Sequence, residues 1–232
     1  MDAPKKMLSL RVLIQALFFI VLVPFLPLLI SREWGWWEAW VYGLLGIFSF
    51  AISRALAAKR HPDLIAERAK FMQHEDAETW DNKILKALGI FGVLNLVLIG
   101  LDRLLGWTDA YGLGVRLIAL VLMNVGYMVS SYALIENRFF SGNVRLQTDR
   151  GQKVTSTGPY SWVRHPGYVG AVLSYLVTPL FLNSIWAYIP TIITIGLYVL
   201  RTALEDRFLQ ENLDGYRDYA KKVRFRLLPG IW

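Results

Sequence analysis

Six apolar stretches govern what this chain can fold into: residues 12–30, 36–58, 84–101, 113–135, 169–181 and 185–200. A helix of about 20 apolar residues crosses a hydrocarbon layer, and a helix satisfies every backbone N–H and C=O within its own segment. Four of the stretches come close to that length. The chain is 55% hydrophobic and its mean hydropathy is positive. The expectation is an all-α polytopic membrane bundle of about six spans. The last two stretches, separated only by Leu182, Asn183 and Ser184, form a C-terminal helical hairpin. The arm 169–181 is long enough to span only if its helix begins near Pro166. A polar helix over 201–222 continues from the second arm.

Residues 12–30 follow Lys5, Lys6 and Arg11, and they pass Pro24 and Pro27 without a small-residue cleavage site. This reads as a retained, kinked first helix rather than a cleaved leader. Trp34, Trp36, Trp37 and Trp40 form an aromatic belt at the entry to the second span. Residues 59–83 are polar and mixed in charge, with apolar Leu64, Ile65, Phe71 and Trp80. They are expected to form a surface segment of one or two short helices whose charges make a solvated face. Asn95 and Asn124 lie within spans, where hydrogen bonding between helices is the ordinary explanation. Gly89, Gly92 and Gly100 allow close helix contact. A long, weakly periodic loop, 136–157, is broken by Gly142 and Gly151; loops of this length in compact proteins are functional or disordered, and its leading directly into residues 158–170 favours a functional one.

The charges fix an orientation. Only Arg32, Arg103 and Arg116 fall on one side of a six-span arrangement, leaving 22 of the 25 Lys and Arg on the other. By the positive-inside rule both termini, residues 59–83 and the stretch 158–170 face the cytoplasm. The net charge of +7 therefore reflects membrane topology, and no nucleic-acid partner is expected. His61, His74 and His165 lack ligand-like spacing, so no metal is expected. A chain without cysteine has no disulfide framework, no thiolate metal site and no cysteine nucleophile.

Residues 158–170, GPYSWVRHPGYVG, carry more chemistry than a connector needs. Pro159 and Pro166 fix the backbone; Gly158, Gly167 and Gly170 permit turns and close approach. Tyr160, Trp162, Arg164 and His165 supply stacking, charge and hydrogen bonding. An interfacial anchor of aromatic and basic residues is the plainer alternative. Farther on, Arg201 and Glu205 share a helix face one turn apart. Arg201 offers a fork suited to a carboxylate or phosphate, and Glu205 an acceptor for hydroxyl or amino groups. The plainer alternative for these two is a surface ion pair.

Arg164-His165-Pro166-x-Tyr168-x-Gly170 resembles the signature of the isoprenylcysteine carboxyl methyltransferase family. These are integral-membrane enzymes that use S-adenosylmethionine, and phospholipid N-methyltransferases are their relatives. Gly158-x-Tyr160, the segment Arg201 to Asp206, Tyr216-x-x-Tyr219-x-x-x-Val223 and Arg226-Leu-Leu-Pro229 fit the same resemblance, which covers residues 147–232. The first half matches only as hydrophobic helices. An integrated domain is expected, with a four-helix membrane region (1–135, holding the cytoplasmic segment 59–83) and a cofactor and hairpin region (136–232).

The resemblance implies cofactor contacts from Gln147, Gln152, Lys153, Val154, Thr155, Tyr160, His165, Pro166, Gly167, Tyr168 and Glu205. It also implies that Arg201 contacts the substrate and takes part in catalysis. Asp206 stands where the family has a second Glu, which leaves its role open. The implied reaction moves a methyl group from S-adenosyl-L-methionine to a lipid-like acceptor, a carboxylate of isoprenylcysteine type being favoured by Arg201. A carboxylate is already deprotonated at neutral pH, so His165 need not act as a base. A phospholipid amine acceptor would need its lone pair free. Two other classes remain. Membrane sterol reductases that use NADPH share the Arg-His-Pro-x-Tyr segment and a Pro-Gly-aromatic ending, and a non-catalytic scaffold would retain the pocket alone.

Overall fold

A computed structural model describes residues 18–70 and 76–232. The start of the first apolar stretch (12–17), the basic residues Lys5, Lys6 and Arg11, and Phe71 and His74 lie outside the described residues. Eight α-helices are assigned here: α1 (Leu26–Ser31), α2 (Trp37–Arg60), α3 (Pro62–Ala69), α4 (Thr79–Leu105), α5 (Leu113–Glu136), α6 (Pro166–Phe181), α7 (Tyr188–Asn212) and α8 (Tyr216–Lys222). The chain is an all-α membrane bundle. Helices α2, α4 and α5 are long and apolar enough to cross a membrane, while Ile20–Ser31 and α6 are shorter apolar helices.

Prolines explain the broken entry. Pro24 and Pro27 each remove a donor, and the chain runs through a π turn (Phe18–Leu22) and a 3-10 turn (Val23–Phe25) before α1. Arg32, at φ 57°, ends α1. At Gly100 of α4 an added Cβ would lie 2.7 Å from Ile30 Cβ, so α1 lies directly on α4 there. Gly92 admits the Tyr175 hydroxyl, whereas Gly89 faces open space. The Asn95 side chain donates to Ala187 O (3.0 Å) and Thr191 Oγ1 (2.6 Å), joining α4 to α7 as the sequence reading expects. Asn124 instead bonds Leu120 O within its own helix.

The hairpin opens at Pro166, the start that its first arm requires to approach a full span. Helix α7 carries the second arm without interruption to Asn212. Leu213 and Gly215 (φ 79°) then divide the expected polar helix, so that α8 turns back. Helices α5 and α6 cross where glycine faces glycine. A Cβ on Gly170 would lie 2.3 Å from Gly126 O, and one on Gly126 2.7 Å from Gly170 O. Leu28, Trp36, Ile99, Met123 and Phe181 fill the core at one end of the bundle. At that end Tyr111 N–H donates to Asn183 Oδ1 (2.8 Å), and Ser184 donates to Asp102 Oδ2 (2.6 Å). The opposite end gathers residues 61–70, 76–78, 137–165 and 213–232.

Candidate active site

The stretch 158–170 is held between α5, α7 and the tail. His165 stands outside the helical region before proline (φ −126°, ψ 61°), and Pro166 sets the first turn of α6. Gly158 adopts φ 57°, with Glu136 Cγ and Tyr132 Oη 3.0 Å from where a Cβ would stand, a place only glycine fills without strain. Two backbone bonds tie the stretch to the tail: Arg164 N–H to Phe225 O (2.9 Å) and His165 N–H to Arg226 O (3.0 Å). Tyr219 donates to Tyr160 O (2.7 Å).

Asp206 is the centre of this arrangement, and its role was not legible from the sequence. It is fully buried and accepts from Arg164 at two points (2.7 and 3.0 Å), from Arg226 (2.8 Å), Gln210 (2.8 Å) and Tyr216 (3.0 Å). His165 Nε2 lies 3.4 Å away. Burial alone would raise its carboxyl pKa, but the bonds from His165, Arg164 and Arg226 outweigh it and hold the group well below the usual carboxylate range. The remaining Arg164 nitrogen, Nη1, bonds Val223 O (2.8 Å) and Arg224 O (2.9 Å) just past α8. Arg164 and Asp206 together fasten the stretch, α7 and the tail into one unit.

Beside this unit lies a cavity of about 570 Å³, within the range of small-molecule and cofactor sites. Gln147, Gln152, Lys153, Val154, Thr155, Tyr160, His165, Gly167, Tyr168, Arg201 and Glu205 all line it. Pro166 does not; it is buried at the helix start, where its part is to set the turn. Gln147 has no spare side-chain polar atom in the usual sense. Its amide donates to Phe139 O (2.8 Å) and its oxygen accepts from Arg150, while its backbone N–H bonds Gln152 Oε1 (2.7 Å). These two glutamines close the 3-10 turn Thr148–Arg150 and so shape the cavity wall. Thr155 donates to Asn137 Oδ1 (3.0 Å), and Asn137 donates to Tyr160 Oη (3.3 Å). Burial, opposed by that bond from Asn137, raises the Tyr160 phenol above its ordinary pKa, so it stays neutral. The His165 and Tyr168 rings are stacked with 4° between their planes, and Tyr168 donates to Glu205 Oε2.

Arg201 and Glu205 do not form the surface pair that their spacing allows. The Arg201 fork meets Asp81, at the start of α4, through Nε (2.6 Å) and Nη2 (3.1 Å), and Nη2 also donates to Gly142 O. Asp81 is fully buried and accepts from Val144 N–H as well (2.8 Å). Among the described residues of 59–83, the acids are therefore not simply a solvated face. Asp63 takes Arg138 and Arg150, Glu67 and Asp76 take Arg145, and Leu64 is buried against Ala57 and Leu134. This segment clamps the loop 137–157 over the cavity.

What the site offers chemically is a set of hydrogen-bonding groups on one wall and cations on another. Glu205 keeps its Oε1 unengaged among the described residues, and the amide nitrogen of Gln152 is likewise available. The carboxylate oxygen suits hydroxyl and amino donors, and the amide N–H group suits the acceptors, of a nucleoside-bearing cofactor. The α2 and α5 faces add Gly46, Ser49, Phe50, Tyr127 and Ser130 to the lining, which carries the cavity in among the apolar helices.

Residues 112–214 match the phospholipid methyltransferase family model. A probable protein-S-isoprenylcysteine O-methyltransferase from Oryza sativa subsp. indica is 27% identical over 112 residues, covering 47% of this chain and 59% of the relative. Its counterpart in subsp. japonica matches to the same extent. The Delta(14)-sterol reductase TM7SF2 of Mus musculus is 26% identical over 133 residues, 52% of this chain but 32% of the reductase. The matched region thus spans between a third and three-fifths of these relatives' lengths. Residues 112–214 thus resemble the phospholipid methyltransferase family, and the chain is similar over about half its length to isoprenylcysteine methyltransferases and to a sterol reductase.

Proposed function

We propose that this protein is a membrane methyltransferase that uses S-adenosyl-L-methionine and acts on a lipid-like acceptor, a carboxylate of isoprenylcysteine type. The observation that carries this reading is the single cavity in which residues 152–155, Tyr160, His165, Tyr168 and Glu205 meet and which continues between α2 and α5. A soluble, charged methyl donor and a bilayer-borne acceptor require such a site, open to both phases. The sulfonium of the bound donor supplies an activated methyl group. The protein's part is alignment and exclusion of water, and no covalent nucleophile is required. Glu205 holds cofactor donors through Oε1, with Tyr168 fixing its other oxygen. The Tyr160 and His165 rings form the wall against which the cofactor rests. Both termini and this site face the cytoplasm, and residues 1–135 and 136–232 act as one integrated domain. Arg201 faces the acceptor through Nη1, the nitrogen that its bonds to Asp81 and Gly142 leave free.

The similarity to a sterol reductase keeps NADPH reduction as the second reading. Ligand-induced thermal stabilisation of the purified protein separates the two. S-adenosylhomocysteine is expected to raise the unfolding midpoint and NADPH to leave it unchanged. The opposite result would transfer the chain to the reductases.

A further inference from the structure

Five arginines line the cavity, and three of them are matched by carboxylates. Arg145 meets Glu67, Asp76 and Asp149; Arg164 meets Asp206; Arg201 meets Asp81. Arg54 and Arg68 have no carboxylate within ion-pair distance among the described residues. Arg54 stands six residues before the end of α2. Its Nη1 bonds Ser53 Oγ (3.0 Å), and its guanidinium lies 3.8 Å from the Phe50 ring centroid. Arg68, in the last turn of α3, donates to Phe140 O (3.0 Å) and lies 5.3 Å from that ring.

Both guanidiniums are half-buried, and a cation partly withdrawn from water without a counter-ion is unfavourable; the positive charge of Arg68 adds to this at Arg54. Burial first, and then the Arg201 charge, pushes the Arg68 guanidinium down to about 10. An anion in the cavity would offset this cost. The guanidinium geometry selects a carboxylate or phosphate, to which it bonds at two points. The location selects the bearer. Arg54 is on a helix long and apolar enough to cross a membrane, and Gly46, Ser49 and Phe50 continue the lining along the same helix. An anion seated there would lie on the α2 side of the lining, where Gly46, Ser49 and Phe50 offer a path for an apolar tail.

We propose that Arg54 and Arg68 form the subsite that holds the anionic group of a membrane-borne amphiphile, the acceptor of the proposed reaction. The assignment rests on that functional reading for the word acceptor, but not for the anion. Most of the charge recognition that the sequence pattern assigned to Arg201 thereby passes to two arginines outside the signature region, since Arg201 already spends Nε and Nη2 on Asp81 and Gly142.

The test is equilibrium binding to the purified full chain in neutral detergent, followed by tryptophan fluorescence. The probes are an S-farnesylcysteine carboxylate, its methyl ester, phosphatidic acid and S-adenosylhomocysteine. Wild type should bind the carboxylate about tenfold or more tighter than the ester. Arg54→Gln and Arg68→Gln should each weaken it by about 10- to 100-fold, as expected for one charge-assisted contact, and leave the ester and S-adenosylhomocysteine unchanged. Arg68→Lys, which keeps charge without the fork, should fall between and serves if the glutamine variant does not fold. Arginine-dependent binding of phosphatidic acid in place of the farnesylcysteine acid would assign the anion to a phospholipid phosphate and still support the subsite. Equal binding of acid and ester by wild type, or unchanged acid affinity in the variants, would overturn it. So would selective loss of S-adenosylhomocysteine, which would assign the arginines to the cofactor. If the acid binds but S-adenosylhomocysteine does not, the methyl-transfer reading fails and the subsite remains.

Discussion

Arg201 and Asp81, 120 positions apart, meet as a two-point ion pair in which the carboxylate is wholly buried. The pair joins the polar end of α7 to the first turn of α4 and, through Val144, to the loop over the cavity. Removing one partner of a buried pair strands the other charge, at a cost of about 3–5 kcal/mol. Asp81→Asn should therefore lower the thermal unfolding midpoint sharply. Asp81→Leu with Arg201→Met, which removes both charges, should recover part of the loss. A midpoint for Asp81→Asn equal to wild type would mean that the pair contributes nothing to stability.

The crossing of α5 and α6 gives a second expectation. A methyl group at Gly170 meets the Gly126 carbonyl and the Ser130 backbone, neither of which can rotate aside. Gly170→Ala should destabilise by about 1–3 kcal/mol or more, the usual cost of overpacking. Gly196 of α7 has nothing within 4 Å of its added Cβ. Gly196→Ala should be neutral or stabilising by up to about 1 kcal/mol, from helix propensity alone. Chemical denaturation of the two variants in one detergent makes the comparison.

Asp206 links stability to pH. Its carboxyl is held well below the usual range in the folded state, so the unfolded chain takes up the proton first as pH falls. The stabilisation is complete above the unfolded pKa of about 3.9, and it is lost as pH falls below that value towards the folded one. Wild type should lose thermal stability progressively as pH falls from about 4 to about 2. Asp206→Asn should be less stable at pH 7 and show a shallower loss over the same interval. Parallel pH curves would remove Asp206 from the account.

Much of the bundle was legible because its signals are local. Apolar length marked α2, α4 and α5, Pro166 marked the start of α6, and the residues 182–184 marked the turn of the hairpin. The resemblance collected residues that the structure brings to one cavity, Pro166 excepted. What local spacing could not carry were partners that only the fold brings together. An i,i+4 rule pairs Arg201 with Glu205, yet a fully buried Asp81 from another helix is the stronger partner. Likewise Asp63, Glu67 and Asp76 read as a solvated run until residues 138–150 supply their arginines. Asp206 looked like a shortened Glu; only the convergence of Arg164, Arg226 and Tyr216 gives it a part. Asn137, between Thr155 and Tyr160, had no sequence signal beyond ending an apolar run.

Orientation in the membrane can be probed directly because the chain has no cysteine. Asp109 and Ser156 are both exposed, at opposite ends of the bundle. A cysteine at 109 should react with an impermeant thiol reagent on intact cells, and one at 156 only after permeabilisation. Equal external labelling would remove the cytoplasmic assignment of the site.

Glu205 and Tyr168 provide the closest test of the cofactor wall. Tyr168 donates to Glu205 Oε2, which leaves Oε1 for a ligand. A charge-assisted bond contributes about 1.5–3 kcal/mol, or roughly 10- to 150-fold in binding, and a neutral one about 0.5–1.5 kcal/mol. Glu205→Gln should weaken S-adenosylhomocysteine by the larger factor. Tyr168→Phe removes only the bond that orients the carboxylate and should cost tenfold or less. Arg201→Lys, which loosens the pair with Asp81 on the preceding turn, should lower the unfolding midpoint more than it lowers cofactor affinity. Calorimetric titration of the three variants distinguishes these effects. If Glu205→Gln binds S-adenosylhomocysteine as wild type does, the carboxylate is only the Tyr168 hydroxyl's acceptor and the cofactor lies elsewhere along the cavity.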